Sequence, residues 1–351
     1  MIVTVVAVPE GTVVRTDLAG ARRRLATTRC LLVDVELLEG EEGEEGEQRE
    51  GEQQGEWEQG EQQGEWEQGE GAGPLARLLG IGGADLDWFG RRGEPVRADF
   101  LGDVVGLVIP VVRDGRVTYA HAVAGDRFLV TAHRGPAFLA PEITAHVRRE
   151  RPRDAVAVLF LVLQSALATF RRAAVAALLE VEELEDDMFQ QRRPEQVYRL
   201  SRLRRRSALL HHALLPYLQV MDEVITRRMM SPDFPAERQR LAREFQHVAR
   251  LVLTDIETLQ EATRRAFSSY SSLVAGEQNG VINRLAIVSV IFLPLSFLTG
   301  FFGMNFAFLT DELESRAVFW LLAIGLQVCV LAGAFYVLHR TRVWRRLRDE
   351  D

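Results

Sequence analysis

The chain has 351 residues and a formal net charge of −8, with charged and apolar fractions ordinary for a globular protein, so bulk composition does not announce a membrane protein. The acidity is local: Glu39–Glu70 holds 14 Glu and one Arg, which leaves the rest of the chain at +5 and excludes the net charge as a sign of a basic partner. Two cysteines, Cys30 and Cys329, make no disulfide framework and match no metal-binding spacing.

Met1–Gly11 has no basic leader and no long apolar stretch. It does not read as a signal peptide, and residue 1 is expected in the cytoplasm. Ile2–Val8 and Cys30–Leu38, rich in Val, Ile and Leu, predict strands, with a short helix over Arg15–Ala26 between them. Gly51–Gln59 reads GEQQGEWEQ and is repeated letter for letter in Gly60–Gln68. Each unit offers one apolar side chain, Trp57 or Trp66. A segment this acidic cannot offset its ordering entropy, so residues 39–72 are expected to be a disordered insert in a folded domain. Strand chemistry returns between Pro95 and Pro136. Val104–Val112, Val117–Val123 and Arg127–Ala132 predict an antiparallel meander, separated by turns at Arg113-Asp114-Gly115 and Gly125-Asp126. The expected N-terminal α/β domain thus covers residues 1–140.

Everything beyond reads as helix. Ala155–Gln190 and Pro194–Thr226 have apolar residues at helical spacing, the second strongly basic at Arg199–Arg206. Ser231-Pro232-Asp233-Phe234-Pro235 breaks the chain. Ala236–Phe302 then holds no residue that stops a helix before Pro294, and one helix of that span is about 100 Å long. A stalk running into a membrane needs such a rod. Residues 141–284 are therefore expected to be a helical cytoplasmic region, with the stalk from about 235.

Leu285–Phe302 is 18 residues without a charge and Ala317–Leu338 is 22, both near spanning length. Arg340, Arg342, Arg345, Arg346 and Arg348 follow the second run, and Arg264, Arg265 and Arg284 precede the first. The connection, residues 303–316, carries one Arg against Asp311, Glu312 and Glu314. The positive-inside bias then places both termini in the cytoplasm, the short loop outside and the tail 339–351 inside. The terminal arginines read as a topology anchor, and no nucleic-acid partner is expected.

Along the first run, Asn279, Ile282, Leu285, Ser289, Leu293, Ser296, Gly300 and Gly303 recur at spacings of 3 and 4 and share one helical stripe. The stripe collects small and polar residues. Ile287, Val290, Ile291, Phe292, Leu298 and Phe301 make the opposite face. Two readings stand: close packing between helices, or the lining of an aqueous pore built from several copies, since one hairpin cannot enclose water. The stripe holds no acidic residue. Its neutral oxygens suit a cation that keeps its water, and Mg²⁺ dehydrates reluctantly.

At the outer end of the stripe stands Phe302-Gly303-Met304-Asn305-Phe306, preceded by Phe292-Leu293-Pro294-Leu295-Ser296-Phe297-Leu298-Thr299-Gly300. These runs resemble the Gly-Met-Asn motif and the Phe-x-Pro-Leu…Gly run of the CorA magnesium/cobalt transporter family. Gly125–Pro136 loosely resembles the end of that family's N-terminal domain. The resemblance implies an α+β membrane protein: a cytoplasmic α/β domain, a long stalk helix and two C-terminal transmembrane helices, assembled as a funnel-shaped homopentamer in the bacterial inner (plasma) membrane. It further implies that Gly303, Met304 and Asn305 form the outer selectivity ring, with Asn305 contacting the ion through its hydrating water. Asn279 would stand at the inner end of the pore. Ile282 and Leu285 would form an apolar constriction able to gate by dewetting. Ser296 stands where the family often has Thr. Asp311, Glu312 and Glu314 keep the negative charge of the family's external loop, although its Pro-Glu-Leu is missing. No cofactor is implied, and Mg²⁺ is the expected transported and regulatory ion. Glu244, Asp255, Glu257, Asp99 and Asp103 are all candidates to sense it. The zinc-transporting branch of the superfamily tends to carry Ile where this chain has Met304. That branch and a non-conducting, membrane-anchored sensor are the alternatives. The adjacent His211 and His212 read as surface residues. Nothing resembles a phosphate loop, nucleophile elbow or CxxC motif, so an enzyme reading lacks support.

Overall fold

Valine-rich strands open the chain. In the computed structural model, which describes residues 2–37, 88–89, 93–102, 104–134, 139–230, 234–304, 317 and 319–340, β1 (Ile2–Val8) and β3 (Cys30–Leu37) fall where β-branched residues predict them. The helix expected over Arg15–Ala26 is corrected. Thr12–Thr16 forms a further strand, β2, and helix α1 runs from Leu18 to Thr27. The physical reason is a cap: the Asp17 carboxylate accepts from the Gly20 backbone N–H at 2.8 Å, which fixes the helix start beyond Thr16. The expected insert, 39–72, lies outside the described residues.

The meander appears as β5 (Val104–Arg113), β6 (Arg116–Ala124) and β7 (Phe128–Arg134), preceded by the short β4 (Ala98–Leu101). The seven described strands form one sheet in the order β2-β1-β3-β7-β6-β5-β4. Only the β3–β7 pair among them is parallel. Pro110 is tolerated within β5 because β4 pairs only with Val104–Leu107. Beyond Val108, whose N–H donates to Arg97 O at 3.1 Å, no described strand pairs with that side of β5, and a missing N–H there costs little. The Val112 N–H on the same side instead donates to Thr169 Oγ1 at 2.9 Å.

Helices follow as α2 (Leu139–Glu150), α3 (Ala155–Gln190), α4 (Pro194–Met229) and α5 (Ala236–Phe302). The break expected at Ser231–Pro235 falls partly outside the described residues, but helix resumes at Ala236. α3 is apolar enough to cross a membrane by composition, yet most of that stretch is buried. Its hydrophobicity belongs to a core, packed on the sheet and on α4. After residue 317 come a seven-residue π-helical stretch, Phe319–Gly325, and α6 (Leu326–Arg340).

The chain divides into two compact units, Met1–Ala266 and Phe267–Asp351. In the first, one face of the sheet packs Val3, Val33, Val35, Val108, Val123 and Val130 around Trp88 and Phe89. On the parallel pair β3–β7, the buried Asp34 accepts from Thr131 Oγ1 at 2.5 Å, and its other oxygen lies 3.2 Å from His133 Nε2.

Candidate functional site

In the second unit the informative surface is the C-terminal half of α5. Asn279, Ile282, Leu285, Ser289, Leu293, Ser296, Gly300 and Gly303 are all exposed in the single chain. The half-buried positions of the same stretch are Ile287, Ile291, Pro294, Leu295, Leu298 and Phe302. At about 100° per residue these two sets centre on opposite sides of the helix. The stripe therefore faces away from the side on which α5 is covered within its own unit. Of the apolar face expected from sequence, Ile287, Ile291 and Leu298 are half-buried, while Val290, Phe292 and Phe301 are exposed.

The stripe mixes hydroxyls with large apolar groups. Ser289 Oγ donates to Leu285 O at 2.9 Å, which uses its proton and leaves its oxygen as an acceptor. Ile282, Leu285 and Leu293 are 61%, 65% and 75% exposed. Side chains of that size on one face require cover from lipid or another chain.

At the C-terminal end of α5 the helix tightens. Gly303 N–H donates to Thr299 O at 3.0 Å, the last i→i−4 bond, and Met304 N–H donates to Phe301 O at 3.3 Å, an i→i−3 bond. A Cβ on Gly303 would stand 3.1 Å from Thr299 O, so the small residue permits the close turn. Met304 is 40% exposed. Asn305, Asp311, Glu312 and Glu314 lie outside the described residues.

A contact that the sequence reading missed lies behind this turn. Gln327, on α6, donates through Nε2 to Thr299 Oγ1 at 3.2 Å, and Thr299 Oγ1 donates to Leu295 O at 2.8 Å. Gln327 is the one side-chain amide in the charge-free run Ala317–Leu338. That isolation was the available signal.

Asp255 pairs with Arg171 at 3.2 Å and Asp99 with Arg97 at 2.8 Å. Glu244 and Glu257 are exposed, and Asp103 lies outside the described residues. Among the described residues no three His, Cys, Asp or Glu side chains come together to hold a metal. His212 is exposed and His211 half-buried.

The model of the family "CorA-like Mg2+ transporter protein" matches residues 68–340. The chain belongs to the CorA-like Mg²⁺ transporter family. It is a family of transporters rather than enzymes. The complete CorA magnesium transporter structure of Methanocaldococcus jannaschii is similar in fold. Its TM-score is 0.73 at 18% identity, covering 97% of this chain and 98% of that one. The cobalt/magnesium transport protein CorA of Thermotoga maritima is 27% identical over 133 residues, 38% of this chain and 37% of that protein. The zinc transport protein ZntB of Yersinia enterocolitica is 27% identical over 159 residues, 45% of this chain and 47% of that protein. The matches thus span less than half the length of these two CorA-superfamily relatives.

Proposed function

We propose that this chain is the subunit of a homopentameric channel for divalent cations in the bacterial inner membrane, with Mg²⁺ (and Co²⁺ or Ni²⁺) as its ions. The observation that carries the reading is the stripe. In a CorA-family chain, the small, hydroxyl and amide residues of α5 lie on the face turned away from its half-buried side. A ring of such faces encloses a path that no single hairpin can. Neutral oxygens from Asn279, Ser289 and Ser296 accept hydrogen bonds from a hydrated ion. Ile282 and Leu285 narrow that path where dewetting can gate it. Gly303 and Met304 bring the chain to Asn305, whose amide oxygen is the acceptor for metal-bound water at the mouth. Both termini are cytoplasmic, Asp311, Glu312 and Glu314 sit at the external entrance, and cytoplasmic Mg²⁺ regulates opening.

Zinc transport is the second reading, favoured by the match to the Yersinia ZntB. Uptake by proteoliposomes, with Mg²⁺ against Zn²⁺, separates the two. Asn305→Ala should abolish Mg²⁺ uptake while expression, membrane insertion and oligomer mass stay unchanged. An Asn305→Ala protein that conducts like the parent would overturn the site, and the stripe would then be a packing face. A parent that moves no ion would leave the chain a membrane-anchored sensor.

A further inference from the structure

A side-chain amide in a bilayer keeps its cost low only by finding a partner, because lipid supplies none. Gln327 has 10 residues of the charge-free run Ala317–Leu338 before it and 11 after it, so its amide lies far from either end of that run. The partner it finds is specific. Its Nε2 reaches Thr299 Oγ1 at 3.2 Å on the neighbouring helix. Thr299 is in turn bonded in both directions along α5: its hydroxyl donates to Leu295 O at 2.8 Å, and its carbonyl accepts from Gly303 N–H at 3.0 Å. The residue held by Gln327 is therefore the residue whose carbonyl closes the last α-helical turn before Met304. Apolar packing between two helices lets one rotate or slide against the other at small cost. A single polar pair removes that freedom, because any other register leaves the Gln327 amide without a partner in the bilayer.

We propose that Gln327, acting through Thr299, is a positioning residue for the turn at Gly303 and Met304: it fixes the rotation of α5 against α6 and so the direction in which the chain leaves the end of α5. The inference rests on the proposed pore. A residue that orients a metal-binding group changes affinity for the ion more than it changes the number of working channels.

The test is Mg²⁺ uptake by proteoliposomes holding the full-length oligomer, read as half-saturating concentration and as maximal rate. Gln327→Leu replaces the amide by an apolar side chain of similar size suited to the bilayer and should raise the half-saturating concentration about tenfold, the low end for loss of a residue that orients a metal ligand. Thr299→Val should do the same. The double variant should be no worse than either single one, since both remove one bond. Thr299→Ser retains the hydroxyl and should behave as the parent. If Gln327→Leu fails to assemble, the Thr299→Val and Thr299→Ser pair decides. A conducting parent whose half-saturation is unmoved by Thr299→Val, or whose single effects add, overturns this inference alone. A parent that takes up no divalent ion overturns the proposed function and this inference with it.

Discussion

His121 shows what burial does to one titratable group. It stacks on Trp88 with ring centroids 5.7 Å apart and meets the edge of Phe89 at 5.7 Å, within the sheet's packed face. Burial first, and the Arg134 guanidinium second, push its pKa from 6.5 down to about 4. The unfolded chain therefore binds more protons than the folded one between those values, and stability falls as pH drops from about 6.5 towards 4. His121→Phe should flatten that dependence. Urea midpoints at pH 7 and pH 4.5, followed by circular dichroism, should differ less in the variant than in the parent. If they differ equally, His121 is not the group that titrates. Trp88 itself was not legible as core. Its neighbours in sequence show no period of 2 or 3.6 to mark it, and its place is set by Gly106, where an added Cβ would come within 2.7 Å of the indole.

At the scale of elements, α4 and the part of α5 within the first unit repeat one pattern. Buried residues recur at spacings of 3 and 4, as in Leu200, Leu203, Ser207 and Leu210 of α4 and Phe245, Ala249, Val252 and Ile256 of α5. That is the spacing of helices packed side by side in a bundle. The start of α5 is tied down by charge. Arg238 reaches Asp154 at 3.0 Å and Asp126 at 2.9 Å. Asp154 is also the N-cap of α3, accepting from Ala157 N–H at 2.8 Å. One guanidinium thus joins the β6–β7 turn, the start of α3 and the start of α5. Arg238→Ala should destabilise the unit by about 1–2 kcal/mol, since hydrogen bonds to charged groups contribute roughly that much and Asp126 is largely solvated. Chemical denaturation measures it, and an unchanged midpoint would show the clamp to be idle. The sequence announces where α5 begins, because Pro232 and Pro235 punctuate locally. It does not announce Arg238's partners, 84 and 112 residues away.

For the whole molecule the decisive quantity is apolar surface left uncovered. Beyond Ala266, α5 buries almost nothing in the single chain. Val281, Ile282, Leu285, Leu293 and Phe297 are each more than 60% exposed. Under the proposed function, lipid covers part of this surface and copies of the chain cover the stripe. Detergent-solubilised protein should accordingly have a mass near five subunits by light scattering. A monodisperse monomer that still transports would sink the pore.

Patterns carried within a few turns of chain were readable from sequence alone. The charge-free runs, the stripe at spacings of 3 and 4, the strands of the meander and the Gly303-Met304-Asn305 motif all depend on neighbours in sequence, and periodicity reports them directly. Tertiary structure alone decided the rest. Strand β2 depends on pairing with β1, because Thr12–Thr16, although rich in β-branched residues, is too short to show a period of its own. The parallel β3–β7 pair joins residues 97 apart at Asp34 and Thr131. The Gln327–Thr299 bond spans 28 residues. Each of these is a choice among many partners of similar chemistry. Only the folded chain makes it, by bringing one of them within hydrogen-bonding distance.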